Sequence, residues 1–143
     1  MRIVLDTNVV ISGLLWSGAP RRLMQAALSR QIELFTSETL LAELSEIAGR
    51  ARFSHRISSS HTSVPQLVAY YLEIAEIITP AEIRQVVLAD ADDDHVIACA
   101  IAASAQLIVS GDSDLLNLKK YQGIPIVGAS QALSSAGIFP VAP

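Results

Sequence analysis

The sequence predicts an α/β fold in which helices cover a parallel sheet, and two observations support this class. The composition is 51% hydrophobic but only 5% aromatic, so the core must be aliphatic and built from close helix–sheet contacts. Short β-branched runs also alternate with longer segments whose apolar residues have helical spacing. Such alternation is typical of parallel strands joined by right-handed crossover helices. With 143 residues, the chain is expected to form one domain over residues 1–143.

The first part of the chain predicts two strands and the helices that follow them. Residues 3–5 form a buried apolar run, and the polar residues 6–8 lead into a helical hairpin that reaches residue 28. Residues 32–36 predict the second strand. Ser37 is placed to cap a helix that ends near Ala48 and is closed by Gly49. Residues 50–63 lack periodicity, so we expect an exposed loop there.

The remainder of the chain repeats this alternation. We expect helices at 64–76, 90–104, 114–119 and 130–136, and strands at 77–79, 107–110 and 126–127. No internal repeat or low-complexity tract interrupts the pattern. The order of elements therefore predicts a doubly covered parallel sheet.

Composition also narrows the classes of function. Cys99 is the only cysteine, so there is no intrachain disulfide and no cysteine set for zinc. No apolar run approaches the ~18 residues of a membrane span, so we expect a cytoplasmic protein that does not contact a membrane. The net charge of −4 argues against simple electrostatic binding of nucleic acid. That argument lapses if several carboxylates hold divalent cations, because the local field is then inverted.

Two aspartates follow predicted strands directly. Asp6 ends the first apolar run and Asp112 follows residues 107–110. A single aspartate in such a place is most often a turn or capping residue. Ligands of parallel sheets bind at the carboxyl ends of the strands, so two aspartates at equivalent ends favour a site.

Helical phase distinguishes two glutamates of the helix after Ser37. Glu43 falls at the edge of the apolar arc, whereas Glu46 lies nearly opposite it. A carboxylate at the core boundary is costly unless a cation or hydrogen-bond donors accompany it. Glu43 is therefore either a ligand or an arginine-paired structural residue.

The acidic run before residue 95 is longer than helix capping requires. One aspartate serves as an N-cap, but Asp92, Asp93 and Asp94 occur in a row. Asp94 shares an apolar stripe with Ile97, which would aim it inward. Asp93 lies on a similar stripe, so phase alone leaves the choice between the two open.

Together these residues form an all-oxygen set: Asp6, Glu43, Asp94 and Asp112, with Asp93 and Asp114 as further candidates. Oxygen ligands select hard cations, Mg²⁺ or Mn²⁺, rather than zinc. Such a set suits activation of water for attack on a phosphodiester. The sequence contains no nucleophile elbow, Walker loop or dinucleotide-binding glycine motif.

Four segments in order resemble the successive acidic motifs of PIN domains. They are residues 4–8 (VLDTN), 41–44 (LAEL), 93–100 (DDHVIACA) and 108–116 (IVSGDSDLL). The resemblance covers nearly the whole chain. It is nearest to the VapC-like group, the toxins of toxin–antitoxin systems.

The resemblance implies a Mg²⁺- or Mn²⁺-dependent ribonuclease with a parallel five-stranded sheet and helices on both faces. It also implies a homodimer that a cognate antitoxin protein silences. The acids that match the catalytic and metal-binding motifs are Asp6, Glu43, Asp94 and Asp112, with Asp93 and Asp114 as additional metal ligands. The polar neighbours that match substrate-side positions are Thr7, Asn8 and Ser110. The third metal ligand stays open between Asp93 and Asp94.

Two alternative functions are weighed against this one. A DNA-directed nuclease would need the same acids, and the fold does not distinguish it from a ribonuclease. A non-enzymatic module that binds RNA or a protein would need none of them, so the full acid set speaks against it. Arginines 21, 22, 50, 52 and 56 either flank the groove and contact RNA phosphates or are ordinary solvated side chains.

Overall fold

The computed structural model describes residues 1–81 and 91–139, whose strands form a six-stranded sheet. The strands are β1 (Arg2–Leu5), β2 (Glu33–Thr36), β3 (Ala75–Ile77), β4 (Leu107–Val109), β5 (Lys120–Tyr121) and β6 (Ile124–Val127). They lie side by side in the order β3-β2-β1-β4-β6-β5. All neighbours pair in parallel except β5 and β6, which are antiparallel. β1 and β4 therefore lie at the centre of the sheet.

Helices connect the strands. They are α1 (Thr7–Leu15), α2 (Ala19–Leu28), α3 (Glu38–Ala48), α4 (Ala51–Ser59), α5 (Val64–Ile74), α6 (Ala91–Ala102), α7 (Ser113–Leu118) and α8 (Ala129–Ser135). None of the helices in the described ranges is long and apolar enough to cross a membrane. The expected cap of α3 is confirmed, since the Ser37 side chain accepts a hydrogen bond from the Leu40 amide at 3.2 Å. Asp90, where the helix over residues 90–104 is predicted to begin, lies outside the described residues.

Alternating strand residues divide the core between the two faces of the sheet. Ile3, Leu5 and Leu34 face the larger cluster, where α1, α2, α5 and α8 pack. Val4 and Phe35 face the second cluster, which α6 and α7 cover. Every central strand is thus buried on both sides, as the continuous apolar runs predict.

The prediction of a parallel five-stranded sheet is wrong in strand number and in orientation. The sixth strand, β5, is a short antiparallel edge strand whose Tyr121 pairs with Ile124. Gln122 and Gly123 connect it to β6 with φ angles of 47° and 80°. Two consecutive positive φ angles form the tight hairpin turn whose twist suits antiparallel strands. The sequence does not predict this turn, because turns of this kind favour asparagine, aspartate or glycine at the first position rather than glutamine.

The prediction of an exposed loop over residues 50–63 is also wrong, because α4 occupies most of this segment. Ile57 is buried, and Phe53 packs against the larger core cluster one turn earlier. This i, i+4 pair is the entire apolar face of the helix. Arg56 further ties α4 to the end of α1, where its Nε donates to a backbone carbonyl at 2.7 Å. The surrounding serines and arginines conceal so short an apolar pattern in the sequence.

The third strand and the helix before it are shifted relative to the prediction. α5 ends at Ile74, and β3 covers 75–77 rather than 77–79. Ile77 and its neighbour Glu76 are exposed, which is consistent with an edge strand. The boundary depends on pairing with β2, which local sequence does not specify.

A close approach between α1 and α2 depends on Gly13. A Cβ atom at this position would lie 2.4 Å from the Met24 sulfur and 3.1 Å from the Pro20 carbonyl group. Met24 is fully buried, so its side chain has little room to move. The absence of a side chain at residue 13 therefore fixes the separation of the two helices.

Gly13→Ala should lower the free energy of unfolding by about 1–3 kcal/mol, the usual cost of overpacking a core. This direction is opposite to helix propensity, which favours alanine over glycine by about 1 kcal/mol. Urea unfolding of the purified variant measures the change. Gly111→Ala is the control, because a Cβ there has no neighbour within 4 Å. Unchanged or increased stability of Gly13→Ala would show that the helix contact is not tight.

Candidate active site

The ends of β1 and β4 bring two acids together through one serine. The Asp6 amide continues the sheet by donating to the Val109 carbonyl at 2.8 Å. The buried Ser110 hydroxyl donates to Asp6 Oδ2 at 2.7 Å and accepts the Asp112 amide at 2.9 Å. The Ser110 hydroxyl thus connects the residue that follows β1 with the loop that follows β4. These hydrogen bonds hold the carboxyl ends of the two strands together.

Asp6 carries the clearest electrostatic signature of the site. Removal from water raises the pKa of its carboxyl group, and the nearby charge of Asp112 raises it further. Hydrogen bonds from Ser110 and from the Thr7 and Asn8 amides act in the opposite direction. The net pKa is nevertheless raised. A buried carboxyl group that resists ionisation is a frequent property of functional sites.

Three further carboxylates form a cluster that does not include Asp6 itself. One oxygen each from Asp93, Asp112 and Asp114 lie within 4.8 Å of one another. Asp93 is buried near the beginning of α6, and Asp112 caps α7 by accepting the Asp114 amide at 3.3 Å. Crowded carboxylates repel one another in a partly desolvated place. A hard divalent cation would relieve this repulsion, so the donor set fits Mg²⁺ or Mn²⁺.

Glu43 reaches the same place from α3. Its side chain is 15% exposed, against 65% for Glu46, as the helical phase predicts. The Thr7 hydroxyl donates to Glu43 Oε2 at 3.5 Å, and His95 Nδ1 contacts Oε1. Glu46 instead forms an ordinary i, i+4 ion pair with Arg50 at 3.0 Å. On α3, Glu43 therefore faces the site and Glu46 faces solvent.

Four of these acids border one cavity of about 430 Å³. Its lining residues are Asp6, Thr7, Asn8, Glu43, Ile47, Arg50, Arg52, Asp93, Gly111 and Asp112. Four acids therefore face one volume, with two arginines at its edge. A phosphate group could enter such a cavity between the arginines and cation-loaded acids.

The two candidates for the third acid differ in burial and in their position relative to the cavity. Asp93 is buried and lines the cavity, whereas Asp94 is half-buried and is absent from the lining. The rotation of α6 decides this difference, since Ile97 and Ala100 are fully buried against the sheet. Among the predicted substrate-side residues, Asn8 is exposed at the cavity, while Thr7 and Ser110 are buried between acids.

Sequence reasoning missed the contact between His95 and Glu43. The two residues belong to helices that are distant in the sequence, and no spacing rule connects them. Packing of α3 against α6 brings them together. No motif in the sequence carries a signal for that contact.

Comparison with known proteins identifies the family. A family model described as the PIN domain matches residues 2–114. The chain belongs to the PIN-domain family. The matched range includes all the acids that line the cavity. The predicted membership is thus confirmed.

A solved structure has a similar fold. A chain of the crystal structure of VapBC2 from Rickettsia felis bound to a DNA fragment from their promoter superimposes with a TM-score of 0.58. The match covers 88% of this chain and 97% of that chain, at 15% sequence identity. At this identity the likeness concerns the fold. No curated protein matched the sequence.

Asp6→Asn should stabilise the metal-free PIN domain near neutral pH, because an amide avoids burial of a charge. A group with a raised folded-state pKa contributes stability that is fully present below its unfolded pKa. That stability is lost as the pH rises through the folded pKa. The advantage of the variant over the wild type should therefore shrink as the pH falls from 8 towards 3.8, the ordinary pKa of the group.

Thermal unfolding in a chelator across this pH range measures the difference between the two proteins. Glu46→Gln is the matched control, since its carboxylate is exposed and should show little change. A constant difference between Asp6→Asn and the wild type at all pH values would contradict a raised pKa at Asp6.

Proposed function

We propose that this PIN domain is an endoribonuclease of the VapC-like toxin class, which hydrolyses RNA phosphodiester bonds with Mg²⁺ or Mn²⁺. The observation that carries the proposal is the convergence of Asp6, Glu43, Asp93 and Asp112 on one open cavity. The choice of RNA as substrate rests on the likeness of the acidic motifs to the VapC-like group. The fold shared with a VapBC2 chain supports the same class.

Asp93, Asp112 and Asp114 would hold the cation, with Asp6 and Glu43 beside them. Bound Mg²⁺ or Mn²⁺ supplies positive charge next to the phosphate and makes water more acidic. The protein positions these acids before substrate arrives. Ser110 fixes Asp6 and the Asp112 loop, while Thr7 and His95 hold Glu43.

The rim of the cavity would orient the substrate. Asn8 presents an exposed amide there, and Arg50 and Arg52 border the same volume. Guanidinium groups suit the tetrahedral oxygens of a phosphodiester. Arg50 is partly neutralised by Glu46, so Arg52 is the stronger phosphate ligand in this proposal.

The proposed VapC-like toxin class also implies protein partners. The chain would act in the cytoplasm as a homodimer, and a small cognate antitoxin would silence it. A nuclease that is active in its own cytoplasm would degrade the RNA of its cell. A tightly bound inhibitor would prevent this damage. The fold neighbour comes from a VapBC2 structure, which supports an antitoxin partner.

Asp6→Asn, Glu43→Gln, Asp93→Asn and Asp112→Asn should each lower RNA cleavage by about 100-fold or more, the scale of losing one preorganised electrostatic group. Double variants should be far from additive, because the acids act as a unit. The assay is cleavage of a mixed RNA pool with and without Mg²⁺ or Mn²⁺, followed by end mapping. Glu46→Gln and Glu73→Gln are exposed controls and should retain activity.

The same assay separates the alternatives. Metal-dependent cleavage of DNA but not RNA would make the chain a DNA-directed nuclease. Absence of any cleavage by folded, antitoxin-free protein would favour a non-enzymatic binding module. A larger loss for Asp94→Asn than for Asp93→Asn would transfer the third acid to Asp94.

Purification from the native host should yield the PIN protein with a small bound protein, and removal of that protein should increase RNA cleavage. The reason is that a free enzyme would degrade cellular RNA. The measurement is mass spectrometry of the complex and cleavage before and after its separation. Harmless overexpression of active enzyme without any bound protein would contradict the antitoxin proposal.

A further inference from the structure

Charge is segregated along this acidic chain. Residues 7–32 and 47–72 contain no aspartate or glutamate, so all fourteen acids lie elsewhere. The same two segments contain the arginines 21, 22, 30, 50, 52 and 56. They form α1, α2, α4 and most of α5. Within the structure, Arg21 of α2 and Arg56 of α4 line one groove that has no acid among its lining residues.

An aromatic and arginine surface lies within these two segments. Trp16 follows α1 and is 42% exposed. Its ring centroid lies 6.2 Å from that of Phe53, with the planes inclined by 60°. The Arg52 guanidinium lies 4.7 Å from the Phe53 ring centroid, and that of Arg56 lies 5.5 Å from the Trp16 ring. We call these four residues the Trp16 patch.

Hydrogen bonds hold the backbone that precedes Trp16 in place. The last carbonyls of a helix lack partners within the helix and carry partial negative charge. At the end of α1, Arg21 donates to the Gly13 and Leu14 carbonyls at 3.1 and 3.2 Å. Arg56 donates to the Leu15 carbonyl at 2.7 Å. Two arginines thus fix the backbone immediately before Trp16, so the indole is presented from an ordered position.

The Trp16 patch is continuous with the acid cavity through one residue. Arg52 lines the cavity and also lies over Phe53. Neither Arg52 nor Arg56 takes part in an ion pair with any residue of the described ranges. Their charge is therefore available to an anionic ligand that extends from the cavity towards Trp16.

We propose that the Trp16 patch binds single-stranded RNA beside the cleavage site, with a base stacked on Trp16 and phosphates near Arg52 and Arg56. This inference rests on the proposed ribonuclease function and adds a substrate-binding residue to it. Single-stranded RNA exposes bases that stack on aromatic rings and arginine planes. The arginines, together with the absence of acids from both segments, match a polyanion better than an apolar peptide.

Trp16 is the only tryptophan, so the intrinsic tryptophan fluorescence of the chain reports on this patch alone. The Asp6→Asn protein with Mg²⁺ is titrated with single-stranded RNA of about 12 nucleotides, a length that such aromatic sites cover. We expect quenching that saturates and weakens with salt. Duplex RNA of the same sequence should quench less, because its bases are already stacked.

Steady-state cleavage by Trp16→Leu tests the energetic contribution. We expect KM to rise about 5-fold or more, the scale of one lost base–aromatic contact, with a smaller effect on kcat. Trp16→Phe should retain most of the affinity because it preserves a stacking surface. Phe139→Leu removes another exposed aromatic ring outside the patch and is the matched control. Thermal unfolding checks that each variant is folded.

The outcomes separate this inference from the proposed function. Saturating RNA quenching together with a raised KM for Trp16→Leu supports the patch. RNA cleavage with no quenching, or with an unchanged KM for Trp16→Leu, overturns it and leaves the ribonuclease function standing. RNA quenching without any cleavage by the wild type retains the patch as an RNA site and overturns the ribonuclease function. Quenching by the antitoxin protein but not by RNA would make the patch a protein-docking surface and overturn the inference.

Discussion

The parallel pairing of β1 with β4 is the constraint on which the candidate site depends. It places the residue after each strand at the same edge of the sheet, so Asp6 and Ser110 meet although 104 positions separate them. The Asp6 amide is used in the sheet, and its carboxylate is held by the Ser110 hydroxyl. Burial of this carboxyl group has an electrostatic cost, because removal from water raises its pKa and the Ser110 hydrogen bond offsets only part of that increase. A bound cation would offset this cost, so the geometry that weakens the metal-free fold also prepares the proposed chemistry.

The sequence predicts those parts of the fold and site that depend on local pattern. Buried strands read as apolar runs, the cap at Ser37 has its usual residue type, and Asp6 and Asp112 follow strand ends directly. Helical phase separates Glu43 from Glu46 because α3 has a clear apolar arc. Each of these inferences needs only the residues within one element and its immediate neighbours.

The remainder depends on packing between elements. Helical phase does not distinguish Asp93 from Asp94, because both lie in line with apolar residues and α6 is apolar on most sides. Only the docking of α6 on the sheet buries Asp93 at the cavity. The contact of His95 with Glu43 and the short edge strand β5 have the same origin, since tertiary context outweighs weak local preference. α4 was missed because Phe53 and Ile57 alone form its apolar face.

In the proposed substrate complex, the affinity for the cation and the affinity for RNA depend on each other. An acid cluster without a cation repels phosphate, whereas the neighbouring Arg52 and Arg56 attract it. A cation bound among the acids would remove the repulsion and so increase the affinity of the proposed RNA site beside them. By linkage, RNA bound to the arginines in this way would increase the affinity of the acids for the cation by the same factor. Arg52 borders both regions, so the coupling would act at short range, where added salt screens it least.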